Sequence, residues 1–300
     1  MPGPNRRFGL LPLVLIVGLV GASVAFGAVS TNTLGAGDKF DRLVMKIQRF
    51  IIGPPPNLPD ETVEVTPRPT LAAMPSPSRL PPGATPGPTA PPPVRTAMDV
   101  SIIKDPKAVF AHEVRKDWCS PAGIQMTLAA LGLADTSEDF QRTIAGRVHE
   151  WESYSDSHNG EWGPTAMARA LAAYGAPGYK VRAYDTRADA LFDAAVALET
   201  THSPVILLAW TGAHTWVMNG YKADADPAIF PDAKISGAYI LDPWYPWNSS
   251  IWGQSDPPGT FQDAKEMVRN FIPWKRPEGL YPNRDGKFIV VIPTLPAPNG

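Results

Sequence analysis

The distribution of proline divides this chain before any other feature does. Roughly fifteen of its 35 prolines fall between residues 53 and 95, with Thr, Ser, Gly and Ala between them. A segment of that composition cannot bury a core and should stay extended. At about 3.1 Å per residue in polyproline II, it could reach on the order of 120 Å. Residues 53–96 therefore read as a Pro-rich disordered stalk. Such a stalk would hold a domain off a membrane or through a cell wall. A Pro-rich ligand for a partner domain is the other use of this composition, and the spacer reading fits better. What folds must lie on either side of it.

On the N-terminal side, residues 1–8 carry Arg6 and Arg7 and no acid. Residues 9–29 form an apolar run of about 20 residues, long enough to span a bilayer. The run is either a transmembrane signal anchor or a signal peptide, and Ala25-Phe26-Gly27 offers a small-x-small cleavage site. It exceeds the usual signal-peptide core of about 7–15 residues, which favours an uncleaved anchor. The two arginines favour a cytoplasmic N-terminus, so everything after residue 30 is expected outside, as a single-pass cell-membrane protein. Cleavage would make the protein secreted. Residues 30–52 form a juxtamembrane amphipathic segment. Phe40, Leu43, Val44, Ile47, Phe50 and Ile51 share one helical face, with Lys39, Arg42, Lys46 and Arg49 interspersed. It suits the outer membrane surface, pairing with a copy of itself, or docking on the globular domain, and the oligomeric state stays open.

Residues 97–300 have the composition of a folded domain. The formal net charge of −2, with no basic block and no basic–aromatic interleaving, excludes a nucleic-acid partner. Helical patterns come first. The stretch from Cys119 to Leu131 is one, with Pro121 suited to a first turn and Gly132 to the position after the last. Thr136 with Asp139 resembles a capping box ahead of Phe140, Ile144 and Val148. Gly163-Pro164 opens a third helix that Gly175 ends, and Thr186 caps a fourth. Tyr179–Tyr184 is a short strand between the last two. Strands then dominate: residues 204–210, an antiparallel partner from His214 to Tyr221 across a Thr211-Gly212-Ala213 turn, Ala238–Leu241, and 287–292. Residues 222–235 read as a polar insertion and 243–286 as a tryptophan-rich, strand-poor excursion. Helices followed by an antiparallel sheet make an α+β layout.

Cys119 is the only cysteine, so an internal disulfide is excluded. It stands at a helix N-terminus, where unpaired N–H groups and the macrodipole favour a thiolate. A small buried core cysteine is the competing reading. A nucleophile needs a base, and the base needs an orienter. Of five histidines, His149 falls at a helix C-terminus, His158 in a polar loop, His202 before a strand and His112 in a polar stretch. His214 alone stands at the entry of a strongly apolar strand, where a polar ring needs a partner. Asp242 ends the strand Y-I-L-D just before Pro243. If that strand pairs with the one beginning at His214, Asp242 reaches an imidazole nitrogen; otherwise it is an Asp-Pro turn.

W-C-S-P-A-G-I-Q-M, then G-A-H-T-W-V-M-N-G-Y, then A-Y-I-L-D-P-W resembles the order of motifs in papain-clan cysteine peptidases. It is closest to the double-glycine leader (bacteriocin-processing) peptidase family and its stand-alone relatives. The resemblance covers roughly residues 97–295, and the G-P-T-A-M-A-R-A-L-A-A-Y-G segment looks like the family's helix between Cys and His. It implies a papain-like fold and hydrolysis of amide bonds in peptide or protein substrates through an acyl-enzyme. Cys119 would be the nucleophile, His214 the general base and acid, and Asp242 its orienter. No metal or organic cofactor is implied. These enzymes usually carry a Gln about six residues before the Cys as an oxyanion donor. Glu113 stands there instead, beside His112. A carboxylate would repel a developing oxyanion unless protonated. The Cys119 backbone N–H and His112 are then the other oxyanion candidates. Two alternatives follow from that departure: a papain-like domain that binds peptide or cell-wall material without cleavage, and a transglutaminase-like acyl transferase.

Two further features stand out. Glu150, Glu152, Asp156, His158 and Glu161 make an acidic loop, but without a recognised metal-ligand spacing. Tryptophans gather near the motifs. Trp118, Trp216, Trp244 and Trp247 are candidate walls of a substrate groove, with Trp252 and Trp274 in the same excursion; packing beneath that excursion is the competing reading for most of them.

Overall fold

A computed structural model describes residues 43, 47, 58, 60–66, 93–152, 162–275 and 281–297. The chain divides into two units, 1–55 and 56–300. Of the first, Leu43 and Ile47 are described; both are helical and exposed. The apolar run 9–29 and most of the amphipathic segment 30–52 lie outside the described residues, as do Asp156, His158 and Glu161 of the acidic loop. Among the described residues no helix is long and apolar enough to cross a membrane.

The second unit is a mixed α+β domain. Among the described residues its strands are β1 (Val63–Glu64), β2 (Met98–Ser101), β3 (Tyr179–Tyr184), β4 (Val205–Ala209), β5 (His214–Ala223), β6 (Ile235–Leu241), β7 (Asn248–Ser249), β8 (Gly253–Gln254), β9 (Thr260–Asp263) and β10 (Phe288–Pro293). Its helices are α1 (Cys119–Ala130), α2 (Glu138–Gly146), α3 (Pro164–Ala173), α4 (Arg187–Thr201) and α5 (Ala264–Asn270). The main sheet runs β1-β3-β10-β4-β5-β6-β9, and β2 pairs with the far end of β5. All pairs are antiparallel except β1 with β3. The hairpin β7–β8 stands apart from it.

Both faces of the sheet are covered, and this explains why β4 reads as an unbroken apolar run. Ile206 and Leu208 face one core with residues of α1 and α3, including Ile124, Leu128, Met167 and Leu171. Val205, Leu207 and Ala209 face the other, against Ala194 and Leu198 of α4. Helix α1 is buried continuously from Ser120 to Leu128. It reaches the sheet closely because residue 123 is glycine: a Cβ there would lie 2.4 Å from Thr215 Cγ2 of β5. Beside this contact the hydroxyls of Ser120 and Thr215 are 3.2 Å apart.

Several boundaries differ from the sequence reading. Helix α2 is capped by Ser137, whose side chain accepts from the Phe140 N–H, rather than by Thr136. Strand β5 runs on to Ala223 and β6 begins at Ile235, because β2 and β9 supply partners that extend the ladder at that end. The excursion 243–286 is not strand-poor throughout: it contains β9, hydrogen-bonded to β6, and helix α5. The largest correction falls within residues 53–96. The stretch 60–66 is not free stalk but part of the domain. Arg284 is wholly buried and binds the Asp60 carboxylate at 2.6 Å and Thr62 Oγ1 at 2.8 Å. Arg169 of α3 holds Glu61 at 2.8 Å, and Val65 N–H donates to the Ala183 carbonyl. A buried guanidinium needs a carboxylate, and this segment brings it one.

Candidate active site

The residues singled out in sequence converge at one end of the sheet. Helix α1 begins at Cys119, so the thiol lies over the first backbone N–H groups, which have no carbonyl one turn earlier to bond. The cysteine is half-buried, and its Sγ lies 3.9 Å from the carbonyl of Ala213, next to His214. His214 opens β5, opposite Ala209 of β4, and is almost wholly buried. Strand β6 pairs with β5 through Val217↔Leu241, which carries Asp242 to the same end. His214 Nε2–H donates to Asp242 Oδ1 at 2.7 Å. The same oxygen accepts the Trp244 N–H at 2.9 Å, and Tyr245 N–H bonds the Asp242 carbonyl. Asp242 is thus both the Asp-Pro turn and the partner of the imidazole, since the turn fixes the carboxylate.

The charges of the three groups depend on one another. Burial works against an imidazolium at His214, but the Asp242 carboxylate and Cys119 outweigh it and push the value up to about 10. Burial likewise works against a thiolate at Cys119. The hydrogen bond and charge of His214, with help from Thr215, overcome it and hold the thiol below its ordinary value. With Nε2 given to Asp242, Nδ1 is the nitrogen left to face the sulfur. The arrangement favours a thiolate–imidazolium pair with a carboxylate behind it.

Nothing in the motifs signals what supports this pair. Trp210 stacks on the His214 ring at 3.9 Å and 16°, and Trp252 stacks on Trp210 at 5.6 Å and 5°. The indole N–H of Trp210 donates to Asn270 of α5. Trp210 and Thr211 adopt left-handed backbone conformations, φ 51° and 60°, in the turn that aims His214. Gly212, at φ 86°, completes that turn beneath Trp274, where a Cβ would lie 2.2 Å from the ring. The T-G pair after Trp210 was a visible turn signal; the stacking depends on contacts too distant in sequence to read.

The four candidate groove tryptophans divide. Trp244 meets His214 edge-on at 6.4 Å and so stands beside the Cys–His–Asp cluster, while Trp247 packs edge-on against Trp244 at 5.0 Å and against His112 at 4.2 Å, one layer further out. Trp118 caps α1 and is nearly buried under Arg115, 5.1 Å from its ring. Trp216 is buried in the core on the α4 side, where it lines a small pocket with Trp210, Asp242 and Trp252. Its alternation on β5 points it to the face that α4 covers. Among the oxyanion candidates, His112 donates its Nδ1–H to the Tyr245 carbonyl at 2.7 Å, and Glu113 is fully buried. Glu150 pairs with Arg147, and no metal-binding group of His, Cys, Asp and Glu occurs among the described residues.

A family model, the Peptidase_C39 like family, matches residues 99–271, which run from β2 to the end of α5. The chain belongs to that family. It is a papain-clan cysteine peptidase-type domain related to the bacteriocin-processing peptidases, as the motifs around Cys119, His214 and Asp242 implied. Its sheet and five helices fit a papain-like peptidase. The match to the C39-like family leaves out β1 and β10, although β10 lies between β3 and β4 in the sheet. No curated protein matches the chain.

Proposed function

We propose that this C39-like domain is a cysteine hydrolase that cleaves amide bonds in peptides or proteins. The observation that carries the reading is the line from Asp242 through His214 to a half-exposed Cys119 with a lowered thiol pKa. The Cys119 thiolate attacks the carbonyl carbon and forms an S–C bond, while the carbonyl π pair moves onto oxygen. The Cys119 backbone N–H faces that charge. Collapse expels the amine, which takes its proton from the His214 imidazolium. His214, now neutral, takes a proton from water, whose oxygen attacks the thioester and regenerates the thiolate. Asp242 keeps the ring in one orientation and stabilises its charged form. Trp244 and Trp247 are suited to hold the acyl side of the substrate. No metal or organic cofactor enters these steps.

The reading extends to where the domain works. The apolar run 9–29 would anchor the chain, with residues 1–8 cytoplasmic, and residues 67–96 would give the domain reach on the outer side. Protease added to intact cells should then remove the domain.

A thiol-directed electrophile checks the chemistry. Cys119 should be modified at near-neutral pH about 10²–10⁴-fold faster than in the His214→Ala chain. Modification no faster than that of a free-cysteine peptide would argue for a domain that binds without cleaving. An amide product that predominates over the free acid when a simple primary amine is added at low concentration would instead mark acyl transfer, because the amine would then outcompete water for the Cys119 thioester.

A further inference from the structure

Trp210 is the strained residue that the Cys–His–Asp chemistry leaves unused. It is a bulky side chain held at φ 51°, in the left-handed region that residues with a Cβ rarely enter. Thr211 follows it at φ 60°, and its hydroxyl donates to the Trp210 carbonyl at 2.6 Å. The Thr211 carbonyl in turn accepts the Lys275 N–H at 3.1 Å. Filling a core does not require such a backbone; an aliphatic side chain on ordinary strand geometry would do it. Strain of this kind persists only where the surroundings over-determine it, and it gathers at functional sites. What this turn achieves is the placing of one ring. The indole lies nearly parallel to the His214 imidazole, with 3.9 Å between centroids and 16° between planes.

The indole is fixed from two further directions. Its N–H donates to Asn270 Oδ1 of α5 at 3.0 Å. The Asn270 amide is held in that orientation because its Nδ2 donates to the carbonyl and the carboxylate of Glu266, at 3.1 and 3.3 Å. Trp252, from the β7–β8 hairpin, lies parallel to the indole at 5.6 Å and 5°. A helix and a hairpin are thus both committed to one ring. The titratable groups that bear on His214 are Cys119 on α1, Asp242 after β6 and Glu113 in the segment before α1. Cys119 and Asp242 address the nitrogens at the edge of the imidazole, whereas Trp210 covers a face. An aromatic face is the negative side of the ring quadrupole, and it attracts a cation most strongly where water is kept out. Here water is kept out: His214 is 2% exposed and Trp210 8%.

We propose that Trp210 is a positioning residue for the reaction at Cys119, its indole face holding the His214 ring where Asp242 and Cys119 meet it and stabilising that ring in its protonated form. This rests on the hydrolase reading above and deepens it. Nothing is transferred to or from the indole: the proton from Cys119 resides on His214, passes to the departing amine, and is replaced from water. The face acts unequally on the two charge states of the ring. It attracts the imidazolium and is nearly indifferent to the neutral imidazole, so it favours the thiolate–imidazolium pair over a neutral thiol and imidazole. Without that face, His214 gives up its proton at lower pH.

Alkylation of Cys119 by iodoacetate, on the full chain, tests this. The anionic reagent is drawn to the imidazolium, so its rate falls at alkaline pH as His214 loses its proton. Trp210→Leu should move that alkaline midpoint down by about 0.5–1.5 pH units, while Trp210→Phe, which keeps an aromatic face, should stay closer to the parent than to Trp210→Leu. Fluorinated tryptophans placed at residue 210 alone separate the face from packing. They keep the shape and the N–H of the indole and draw charge from its face as fluorines are added. Along that series the alkaline midpoint should move down stepwise while the urea unfolding midpoint stays put, and the series carries the test if Trp210→Leu does not fold. Rapid alkylation in the parent with one alkaline midpoint throughout the series overturns the role of Trp210 alone. So does a midpoint that moves only in step with unfolding. Alkylation in the parent near neutral pH no faster than that of a free-cysteine peptide overturns the hydrolase reading and this role with it.

Discussion

At Cys119 two influences oppose each other: burial favours the thiol, and His214 favours the thiolate. The second prevails because Asp242, 2.7 Å from Nε2, keeps the ring charged. The sign of a test follows. An Asp242→Asn chain loses the carboxylate that raises His214, so the imidazolium gives up its proton at lower pH and no longer favours the thiolate. The midpoint of the pH dependence of Cys119 alkylation should move up, and amide hydrolysis should fall about 10²–10⁴-fold. An unchanged midpoint would mean that Asp242 serves only the Asp-Pro turn. Cys119, His214 and Asp242 were legible at this scale, because each stands at an element boundary with its own chemical signature. Trp210 was not. Nothing in W-T-G distinguishes an indole stacked on an imidazole from one packed in a core.

Among elements, the seating of α1 on β5 sets the distance between nucleophile and base. Gly123 allows it, and the Ser120–Thr215 contact beside it fixes the register. A Gly123→Ala methyl meets Thr215 Cγ2 at 2.4 Å, and neither a buried helix nor a central strand can give way cheaply. The substitution should cost about 1–3 kcal/mol in urea unfolding. It should also slow Cys119 alkylation, because α1 moves outward with the thiol on its first residue. Unfolding and alkylation both unchanged would show that the helix has room to spare. Helix and strand identities came through from periodicity: α1, α3, α4, β3 and β4 lie close to where the pattern puts them. The elements that did not, β1, β2, β9 and α5, are short and owe their form to a neighbour. A two-residue strand such as β1 exists only through its pairing with β3.

For the whole molecule, the domain begins earlier than composition suggests. The segment around Asp60 enters as an edge strand and gives Arg284 its carboxylate. A chain starting at residue 56 should therefore be more stable to denaturant than one starting at residue 97, by about 2–3 kcal/mol. That is below the cost of breaking a fully buried pair, because Asp60 is partly exposed. Burial works against ionised Asp60, but Arg284 and the Thr62 hydrogen bonds hold its carboxyl below the usual 3.8. A depressed carboxylate contributes stability above its unfolded value and loses it as pH falls through the folded one. The difference between the two chains should accordingly be full above about pH 4 and shrink below it. Equal stability would return the segment to the stalk. The sequence by itself determined the fold class, the family and the elements that carry Cys119, His214 and Asp242, because those depend on periodicity, turn chemistry and motif order along the chain. Only the tertiary structure decided that the stalk region gives a strand to the domain and that a tryptophan backs the imidazole. Each of these depends on burial and on charges contributed by residues far away in the sequence.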